Sequence, residues 1–470
     1  MARDENMSKE IVLEELERTR PIHMVGIGGA GMSAIATVLL QMGFMVEGSD
    51  IKESPNIRRV RLVGATVGIG HRADNVGTAS LVVASSAIRD DNPEILEARR
   101  KNISVVARAE MLAAIMSGKR GIAVAGTHGK TTTSSLVAQA LYGCGADPSF
   151  LIGGELNEIG GNARHGAGEF LVAEADESDG SLLYLKPEAA ILTNADVDHV
   201  DYFNGGEHVA CVFLDFLQRV TGFAVICYDD ERARETGRKY ESGGGKAIYY
   251  GADKDCDFRF SDAKSSHAGV EFDAFRGDEP LGTTRCAVPG VHNAYNALAA
   301  IAMGVTLGFP AEGVVRSIGE FRGVRRRFET VGSARGVTVI DDYAHHPTEI
   351  AAVLAVAKEL ATSRLVVVFQ PHRYSRTRTF AGDFASSLSL ADLLVITDVY
   401  AAGEDPEPGV SGQLIVDGIE SDGKKVYYVQ NRLELARSVV PLLEEGDMLI
   451  TMGAGDVTQC AREILELLEE

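Results

Sequence analysis

Cysteine is scarce in this chain of 470 residues. The six cysteines are far apart, and no two of them form a Cys-x-x-Cys pair: Cys144, Cys211, Cys227, Cys256, Cys286 and Cys460. Disulfide frameworks and structural zinc sites usually need closely spaced cysteines, so the sequence argues against both. Sparse, unpaired cysteines fit the reducing cytoplasm, where we expect the protein to work.

The chain also lacks long apolar runs and an excess of basic residues. No run approaches the roughly 20 residues that a bilayer-spanning helix needs, and the charged N-terminus contains no signal-peptide core. Lys and Arg number 46 against 67 Asp and Glu, which gives a net charge of −21. Because sequence-independent binding to nucleic acids needs excess positive charge, we expect no binding to nucleic acid. The absence of a bilayer-length apolar run predicts a soluble globular protein with no membrane insertion.

What is present is a repeated pattern of apolar run, polar turn and helical stretch, which predicts an α/β protein with parallel sheets. At about 150 residues per domain, the length suggests roughly three domains. We set them at residues 1–119, 120–328 and 329–470. The first and third are expected to be Rossmann-like, and the central one a parallel-sheet domain of P-loop type with a peripheral β segment.

The apolar runs and helical stretches also give approximate positions for individual elements. The predicted strands are residues 22–25, 81–84, 121–125, 170–173, 189–193, 224–227, 337–340, 365–369, 393–397, 425–429 and 448–451. Helices are expected over residues 32–42 and 293–308. The peripheral β segment is expected within 241–281, and a surface loop within 403–412.

A short glycine loop at residues 126–131 (GTHGKT) gives the strongest chemical signal. It follows a predicted strand and precedes a helical stretch. In such a loop backbone N–H groups bind phosphate oxygens, Lys130 supplies a positive charge, and the Thr131 hydroxyl can ligate Mg²⁺. The usual pattern has a glycine where Val124 stands, so the loop is a variant form. We predict a nucleoside triphosphate site here.

Polar residues follow the neighbouring predicted strands of the central domain. Glu174 comes after one strand, and His199 follows the next. Ligands of parallel α/β sheets bind beyond the carboxyl ends of the strands, so we expect these side chains near Lys130 and Thr131. Carboxylate and hydroxyl oxygens suit Mg²⁺, and an imidazole could serve a second divalent ion, either Mg²⁺ or Mn²⁺. The alternative is a solvated acidic turn at residues 174–179 and an ordinary loop histidine.

A second glycine loop, residues 26–31 (GIGGAG), follows the first predicted strand. Its G-x-G-x-x-G spacing, with Asp50 after a later strand, matches a dinucleotide-binding fingerprint. A single match is a weak signal, because tight turns also use this pattern for close packing. The pattern favours a diphosphate at a helix N-terminus with an acidic residue near a ribose or base. A UDP-sugar satisfies this requirement as well as NAD does.

The third domain repeats the arrangement of polar residues at strand ends. Three such stretches are residues 341–347 (DDYAHHP), 370–376 (QPHRYSR) and 453–456 (GAGD). Arg373 and Arg376 could clamp a carboxylate, because a guanidinium group pairs with it in bidentate geometry. The alternative for His345 and His346 is a helix start before Pro347. The number of polar strand ends favours a binding site over solvation.

Together these motifs resemble the Mur ligase family. The stretch GTHGKTTT at residues 126–133 is similar to the phosphate loop of that family, which explains the missing first glycine. Other similar motifs occur in the family's order: 26–33 (GIGGAGMS), 174–179 (EADESD), 198–199 (DH), 292–296 (HNAYN), 325–329 (RRRFE), 341–349 (DDYAHHPTE) and 370–378 (QPHRYSRTR). The resemblance extends from about residue 20 to the C-terminus. One departure is Ala344, where many relatives have glycine.

The resemblance implies an ATP-dependent amide ligase of peptidoglycan biosynthesis with ATP and Mg²⁺ (or Mn²⁺) as cofactors. The implied reaction joins L-alanine to the lactyl carboxylate of UDP-N-acetylmuramate and releases ADP and phosphate. A carboxylate is a poor electrophile, so ATP first converts it to an acyl phosphate, which the alanine amine then attacks. The resemblance also implies successive UDP-sugar, ATP and amino-acid domains. We expect a monomer or a homodimer.

The resemblance further implies roles for individual residues. The catalytic set is Lys130, His199, His345, Arg373 and Arg376. The ATP-binding set is Gly126, Thr127, His128, Gly129, Lys130, Thr131, Thr132, Asn293, Asn296, Arg327 and Asp342. The UDP-sugar set is Gly28, Gly29, Ala30, Gly31, Met32, Asp50, His71 and Ser85. The amino-acid set is Tyr343, His345, His372, Arg373 and Arg376. The metal ligands are Thr131, Glu174 and His199.

Three alternative functions remain at this point. A related recycling ligase attaches a preformed tripeptide to the same UDP-sugar. An NAD-dependent dehydrogenase would explain the first glycine loop but gives no task to Lys130, Glu174 and His199. A non-catalytic nucleotide switch would not explain the polar strand ends of the third domain.

Overall fold

The computed structural model describes residues 11–156, 161–178, 180–196, 206–421 and 425–470. Within these residues the chain forms three α/β units, each built around its own sheet. In this part of the chain, no helix combines the length and apolar character needed to cross a bilayer.

The N-terminal unit is a parallel sheet with helices on its faces. Its strands are β1 (Ile22–Val25), β2 (Val46–Asp50), β3 (Thr66–Ile69), β4 (Leu81–Ala84) and β5 (Val105–Ala107). Its helices are α1 (Ala30–Gln41), α2 (Pro55–Val63), α3 (Pro93–Arg100) and α4 (Arg108–Ser117). The strand order β3-β2-β1-β4-β5 reverses direction between β1 and β4. Ligands of doubly wound sheets bind at such a switch point.

The central unit carries the largest sheet of the described residues. Its strands are β6 (Arg120–Ala125), β7 (Ser149–Leu156), β8 (Gly161–Arg164), β9 (Phe170–Glu174), β10 (Ala189–Leu192), β11 (Phe223–Cys227), β12 (Ala247–Gly251), β13 (Phe258–Ser266), β14 (Gly269–Arg276) and β15 (Glu279–Cys286). Its helices are α5 (Lys130–Gly143), α6 (Gly206–Leu217), α7 (Glu231–Ser242), α8 (Val291–Thr306) and α9 (Ala311–Gly319).

The strand order of this sheet, β15-β14-β13-β12-β11-β10-β6-β9-β7-β8, puts β6 between β9 and β10. All three strands are parallel, so their carboxyl ends meet at one edge. This arrangement brings the loop after β6 beside the residues that follow β9 and β10. The sheet is mixed, because β13, β14 and β15 extend it as antiparallel hairpins.

The C-terminal unit has a sheet with the order β16-β17-β21-β18-β19-β20. Its strands are β16 (Glu329–Ala334), β17 (Val337–Asp342), β18 (Leu365–Phe369), β19 (Leu393–Thr397), β20 (Val426–Val429) and β21 (Met448–Met452). Its helices are α10 (Pro347–Leu360), α11 (Tyr374–Thr379), α12 (Ala381–Leu388), α13 (Gly412–Ser421), α14 (Leu435–Val439) and α15 (Thr458–Glu469). Strand β16 pairs antiparallel with β17, and the other pairs are parallel.

The predicted fold class is confirmed, and the predicted strands are found within a few residues of their expected bounds. The expected β segment at 241–281 corresponds to β12, β13, β14 and the start of β15, which continue the central sheet. Short or weakly apolar strands such as β3, β8 and β16 had no clear sequence signal, because partly exposed strands carry few apolar residues.

Candidate active site

The phosphate loop joins β6 to α5 and is held by the end of β10. Gly126 has a φ of 133°, a conformation that favours glycine, and a Cβ there would lie 2.0 Å from the Thr193 hydroxyl oxygen. Asn194 Oδ1 accepts a hydrogen bond from the His128 N–H at 2.9 Å. The Thr193 hydroxyl donates to the His128 carbonyl at 2.7 Å. The loop is thereby fixed at the N-terminus of α5, where phosphate groups bind.

The Lys130 ammonium group lies inside this loop. It donates hydrogen bonds to the carbonyls of Gly126 and Thr127, at 2.6 and 3.0 Å, and to Glu177 Oε1 at 2.8 Å. Burial opposes the charged form, but the carboxylates of Glu177 and Asp176 outweigh it and raise the pKa of Lys130. The lysine is therefore a cation at the position where triphosphate oxygens are expected.

Thr131 and Glu174 line the same cavity as the phosphate loop, which has a volume of about 970 Å³. The Gly153 N–H donates a hydrogen bond to Glu174 Oε1 at 2.7 Å and orients the carboxylate. Hydroxyl and carboxylate oxygens fit Mg²⁺, which usually completes its coordination with waters and phosphate oxygens. The third predicted ligand, His199, lies outside the described residues.

A second cavity, of about 480 Å³, borders the phosphate loop at His128 and Gly129 and includes Thr132 in its wall. Asn293 and Asn296 project into its lining from α8. Asn296 Nδ2 donates to Asn293 Oδ1 at 3.0 Å, and Asn296 Oδ1 accepts from the Thr133 hydroxyl at 3.1 Å. The two amides are thus fixed beside the loop, in a position suited to the base of a nucleotide.

Arg327 and Asp342 reach this cavity from the junction of the central and C-terminal units. The Asp342 carboxylate accepts the backbone N–H groups of Phe328 and Ala344, each at 2.7 Å. Burial raises the pKa of Asp342 to about 6, although Arg327 opposes the shift. The sequence predicted contact with ATP for Asp342, and the structure adds that this carboxylate holds the backbone of the junction.

The larger cavity is bounded by residues from all three units. Ala30 lies at its wall from the first glycine loop, and Lys130 from the phosphate loop. Tyr343, His345 and Tyr400 contribute from the C-terminal unit. The carboxyl ends of the three sheets therefore face one shared space.

The aromatic rings among the predicted amino-acid residues, Tyr343, His345 and His372, form a ring cluster with Tyr400, in which the first two contacts are edge-to-face and the last is stacked. The ring centroids of Tyr343 and His345 are 5.2 Å apart, and those of His345 and His372 are 5.6 Å apart. His372 stacks on Tyr400 at 5.8 Å, and its Nδ1 lies 3.5 Å from Arg376 Nη1. Burial, with the neighbouring cations, lowers the pKa of His372 to about 2. His372 is therefore a neutral member of the ring cluster.

Arg373 has an unusual backbone conformation at the start of α11. Its φ and ψ angles are 69° and 139°, and its N–H donates to the Tyr400 carbonyl at 2.9 Å. A non-glycine residue in this region carries strain of about 1–3 kcal/mol, and such residues are concentrated at functional sites. The strained turn orients the segment that carries both predicted arginines.

The first glycine loop connects β1 to the N-terminus of α1. Helix α1 begins at Ala30, directly after Gly29, and the Gly28 N–H donates to Asp50 Oδ2 at 2.9 Å. Ser85, at the end of β4, packs beside the loop, since a Cβ on Gly26 would lie 3.1 Å from the Ser85 Cβ. Gly31 of the predicted set lies in the first turn of α1. Met32 is buried in the core, so a contact with a ligand would have to come from its backbone.

His71, also predicted for the UDP-sugar, is held by a buried polar network. Its Nδ1 lies 2.9 Å from the Ser49 hydroxyl, which donates to Glu94 Oε2 at 2.6 Å. Glu94 also contacts His23 Nε2 at 2.9 Å. Because a hydroxyl has one proton, Ser49 must accept from His71, which fixes the proton of the ring on Nδ1. The network was not predicted from the sequence.

Three further residues of the site have no assigned role in the sequence prediction. They are Glu177, which pairs with Lys130; Glu349, which contacts His128; and Tyr400, which stacks on His372. Glu177 and Glu349 both lie within motifs that the sequence did identify. Nothing in the order of residues showed which members of these motifs point inward.

Comparisons with known proteins agree with this geometry. The model of the Mur ligase family, catalytic domain, matches residues 21–120, that of the Mur ligase middle domain residues 124–304, and that of the Mur ligase, glutamate ligase domain, residues 326–455. A UDP-N-acetylmuramate–L-alanine ligase of Anaeromyxobacter sp. (strain Fw109-5) is 46% identical over 458 residues, 97% of this chain and 99% of the relative. Its counterpart from Myxococcus xanthus (strain DK1622) is 44% identical over 95% of each chain.

Solved structures show the same similarity. The crystal structure of UDP-N-acetylmuramate-alanine ligase MurC from Thermotoga maritima has a TM-score of 0.82 and 33% identity, covering 95% of this chain and 98% of that one. A murein peptide ligase from Psychrobacter arcticus 273-4 shares the fold, with a TM-score of 0.73 and 23% identity over 96% and 99% of the two chains. With domain matches from residue 21 to residue 455 and relatives of this identity, the chain belongs to the Mur ligase family, whose members are ATP-dependent.

Proposed function

We propose that this protein is an ATP-dependent ligase that joins L-alanine to the lactyl carboxylate of UDP-N-acetylmuramate in peptidoglycan biosynthesis. The observation that carries the proposal is the cavity of about 970 Å³ shared by the first glycine loop, the phosphate loop and the ring cluster of the C-terminal unit. A reaction between a UDP-sugar, a triphosphate and an amino acid needs such a meeting point. The names of the relatives at 44–46% identity support the same substrates.

The first step transfers the terminal phosphate of ATP to the sugar-borne carboxylate. Two anions must approach each other, so the protein's main task is to position them and to offset their charge. Lys130 supplies a cation at the phosphate loop, and Thr131 and Glu174 would hold one Mg²⁺, with His199 as the proposed ligand of a second ion. When bound, the metal would stabilise the charge on the phosphate oxygens.

In the second step the alanine amine attacks the carbonyl carbon of the acyl phosphate, the amide bond forms, phosphate leaves, and the amine loses a proton. His345 is the proposed acceptor. Its Nδ1 lies 3.0 Å from the Tyr343 carbonyl oxygen, which can only accept, so Nδ1 carries a proton and Nε2 is the atom that takes up another. Arg373 and Arg376 are proposed to bind the alanine carboxylate, because guanidinium groups suit that anion.

We also propose how the rest of the protein serves this reaction. The domain limits are those set above, at residues 1–119, 120–328 and 329–470, in the order UDP-sugar, ATP, amino acid. Since ATP and the UDP-sugar are cytoplasmic metabolites, we propose a cytoplasmic enzyme. We expect it to act as a monomer or a homodimer.

A phosphate-release assay tests the proposal. The protein is mixed with ATP, Mg²⁺ and UDP-N-acetylmuramate, together with alanine, glycine, serine or the tripeptide used by recycling ligases. We expect release that depends on both the UDP-sugar and alanine. Phosphate release with the tripeptide but with none of the amino acids would favour the function of a recycling ligase, which shares the fold. No release with any amino acid or peptide, combined with NADH binding in a fluorescence titration, would overturn the ligase proposal.

A further inference from the structure

Glu349 lies in the first turn of α10, and its two carboxylate oxygens face different parts of the site. Oε1 is 3.3 Å from Nδ1 of His128 in the phosphate loop. Oε2 accepts a hydrogen bond from the His345 N–H at 3.2 Å and lies 3.4 Å from His345 Nδ1. The side chain is 15% exposed. One largely buried carboxylate thus connects the phosphate loop of the central unit with the proposed alanine site of the C-terminal unit.

His128 is well placed to transmit a change in the phosphate loop. Its backbone is pinned by Asn194, and its imidazole lies between Glu349 and Asp196, with Nε2 3.7 Å from Asp196 Oδ2. Asp196 also accepts from the Thr348 hydroxyl at 3.2 Å, a second bridge between the two units. A shift of the His128 imidazole on phosphate binding would therefore act on α10 at two adjacent residues, Glu349 directly and Thr348 through Asp196.

The charges favour an ion pair. Burial opposes the imidazolium form, but Asp196 and Glu349 outweigh burial and raise the pKa of His128 to about 9. Burial likewise opposes the carboxylate form of Glu349, but His128 and His345 hold its pKa well below the ordinary range. At neutral pH both partners are ionised, and the contact is charge-assisted.

We propose that Glu349 is a positioning residue that couples the phosphate loop to the alanine site through His128 and His345. The inference rests on the proposed function of these two sites. Occupation of the phosphate loop by ATP sets the position of His128, and the shared carboxylate transmits this position to the backbone at His345. Alanine is then bound in the attacking geometry only when the triphosphate is in place.

A simpler role would be that of a helix cap. A carboxylate in the first turn of α10 that accepts the His345 N–H stabilises the start of the helix, and this contact alone requires no partner in the phosphate loop. The variant Glu349→Gln separates the two roles. Its amide oxygen can still accept from the His345 N–H, but the charge that pairs with His128 is lost.

The test compares Glu349→Gln with Glu359→Gln, which removes an exposed carboxylate from the same helix. Apparent KM values for alanine and for UDP-N-acetylmuramate are measured by phosphate release at saturating ATP and Mg²⁺. We expect Glu349→Gln to raise the KM for alanine about tenfold, in the range of typical coupling between sites, with the KM for the UDP-sugar unchanged. We expect Glu359→Gln to match the unmodified protein in both constants.

A double-variant cycle with His128→Asn makes the test specific. If the two residues act as one connection, adding His128→Asn to Glu349→Gln raises the KM for alanine no further. The proposal would be overturned if the effects of the two substitutions on the KM for alanine multiply in the double variant. It would also be overturned if Glu349→Gln leaves the KM for alanine unchanged, or raises the KM for alanine and the KM for UDP-N-acetylmuramate equally.

A second measurement does not depend on turnover. Hydrogen exchange of residues 343–349 is followed with and without ATP and Mg²⁺, in the absence of the UDP-sugar so that no turnover occurs. We expect the nucleotide to slow exchange in this segment in the unmodified protein and in Glu359→Gln, but not in Glu349→Gln. Equal protection in all three proteins would overturn the coupling, even if the ligase activity is present. Protection that follows this pattern without alanine-dependent turnover would support the connection and reject the proposed substrate.

Discussion

The two glycine loops of this protein share a geometry but differ in charge. Both follow a buried parallel strand, β1 or β6, and both open a helix, α1 or α5. The first loop, GIGGAG, has no charged side chain of its own, and one of its N–H groups is bound by Asp50. The second loop carries two basic side chains, Lys130 and His128, each paired with a carboxylate.

The difference corresponds to what each loop is proposed to do. A diphosphate that stays intact needs only a place to bind, which backbone N–H groups and a helix N-terminus can supply. A phosphate group that is transferred develops charge during the reaction, and stabilising this charge requires cations fixed in advance. Substitutions in the two units should therefore have different consequences: loss of chemistry in the second, loss of affinity or stability in the first.

The largest effect is expected from Lys130→Ala. Removing the cation from the phosphate loop should lower ATP-dependent phosphate release by about 10³-fold or more, because charge on the transferred phosphate is no longer offset. Binding of UDP-N-acetylmuramate, measured by calorimetry, should persist, since that site belongs to the other loop. Phosphate release at the normal rate would contradict the proposed role of Lys130. Circular dichroism is the control for folding.

Glu94→Gln tests the polar network behind the first loop, where we expect loss of stability. Burial disfavours the Glu94 carboxylate, but hydrogen bonds from His23, Ser49 and Asn75 outweigh it and lower the pKa from 4.5 to about 2. A lowered pKa stabilises the fold above pH 4.5, and this contribution is lost as the pH falls towards 2. This shift in the pKa of Glu94 corresponds to about 3 kcal/mol in the free energy of unfolding at pH 7.

Urea unfolding at pH 7 and at pH 3.5 measures this contribution. The free energy of unfolding of Glu94→Gln should lie below that of the unmodified protein at pH 7, and the gap should be smaller at pH 3.5. A gap that is independent of pH would contradict the charged network. Asp90→Asn, which breaks an exposed ion pair with Arg99, is the control and should have little effect at either pH.

The smallest effect is expected from Gly28→Ala in the first loop. A Cβ there would lie 2.8 Å from Asp50 Oδ2 and 3.1 Å from Ile57 Cγ1, so the loop must shift and its hydrogen bond to Asp50 weakens. The KM for the UDP-sugar should rise about fivefold, the equivalent of one hydrogen bond of about 1 kcal/mol. The KM for ATP should stay constant.

Gly382→Ala is the matched control for this substitution, since a Cβ on Gly382 meets no atom within 4 Å. It should leave both KM values unchanged. An equal rise in the KM for ATP and for the UDP-sugar in Gly28→Ala would remove the distinction between the two loops.

Much of the fold could be predicted from the sequence because its signals are local. The apolar runs of β6, β18 and β21 are fully or nearly fully buried strands, and such runs are readable without knowledge of the fold. The phosphate loop is contiguous, and its glycines have the backbone conformations that the pattern requires. The antiparallel extension of the central sheet was expected only as a peripheral segment, because the sequence of one strand does not show which other strand it pairs with.

The pairings within the site could not be predicted in the same way. His128 and Glu349 are 221 residues apart, and Lys130 and Glu177 are 47 residues apart. Each of the four belongs to a recognisable motif, but a motif contains several polar residues and does not indicate which of them is buried. The proposed metal ligand His199 lies outside the described residues, so its role stays a prediction.

The sequence by itself determined the α/β class, the two glycine loops and the family, because these depend on short stretches whose backbone preferences and apolar content act locally. The tertiary structure decided which charges meet. It places the Lys130 ammonium group in contact with the Glu177 carboxylate, and the His128 imidazolium in contact with the carboxylate of Glu349 in the C-terminal unit. The reason is physical: the pKa of a side chain depends on burial and on charges within a few ångströms, and the folded chain brings those charges together from distant positions.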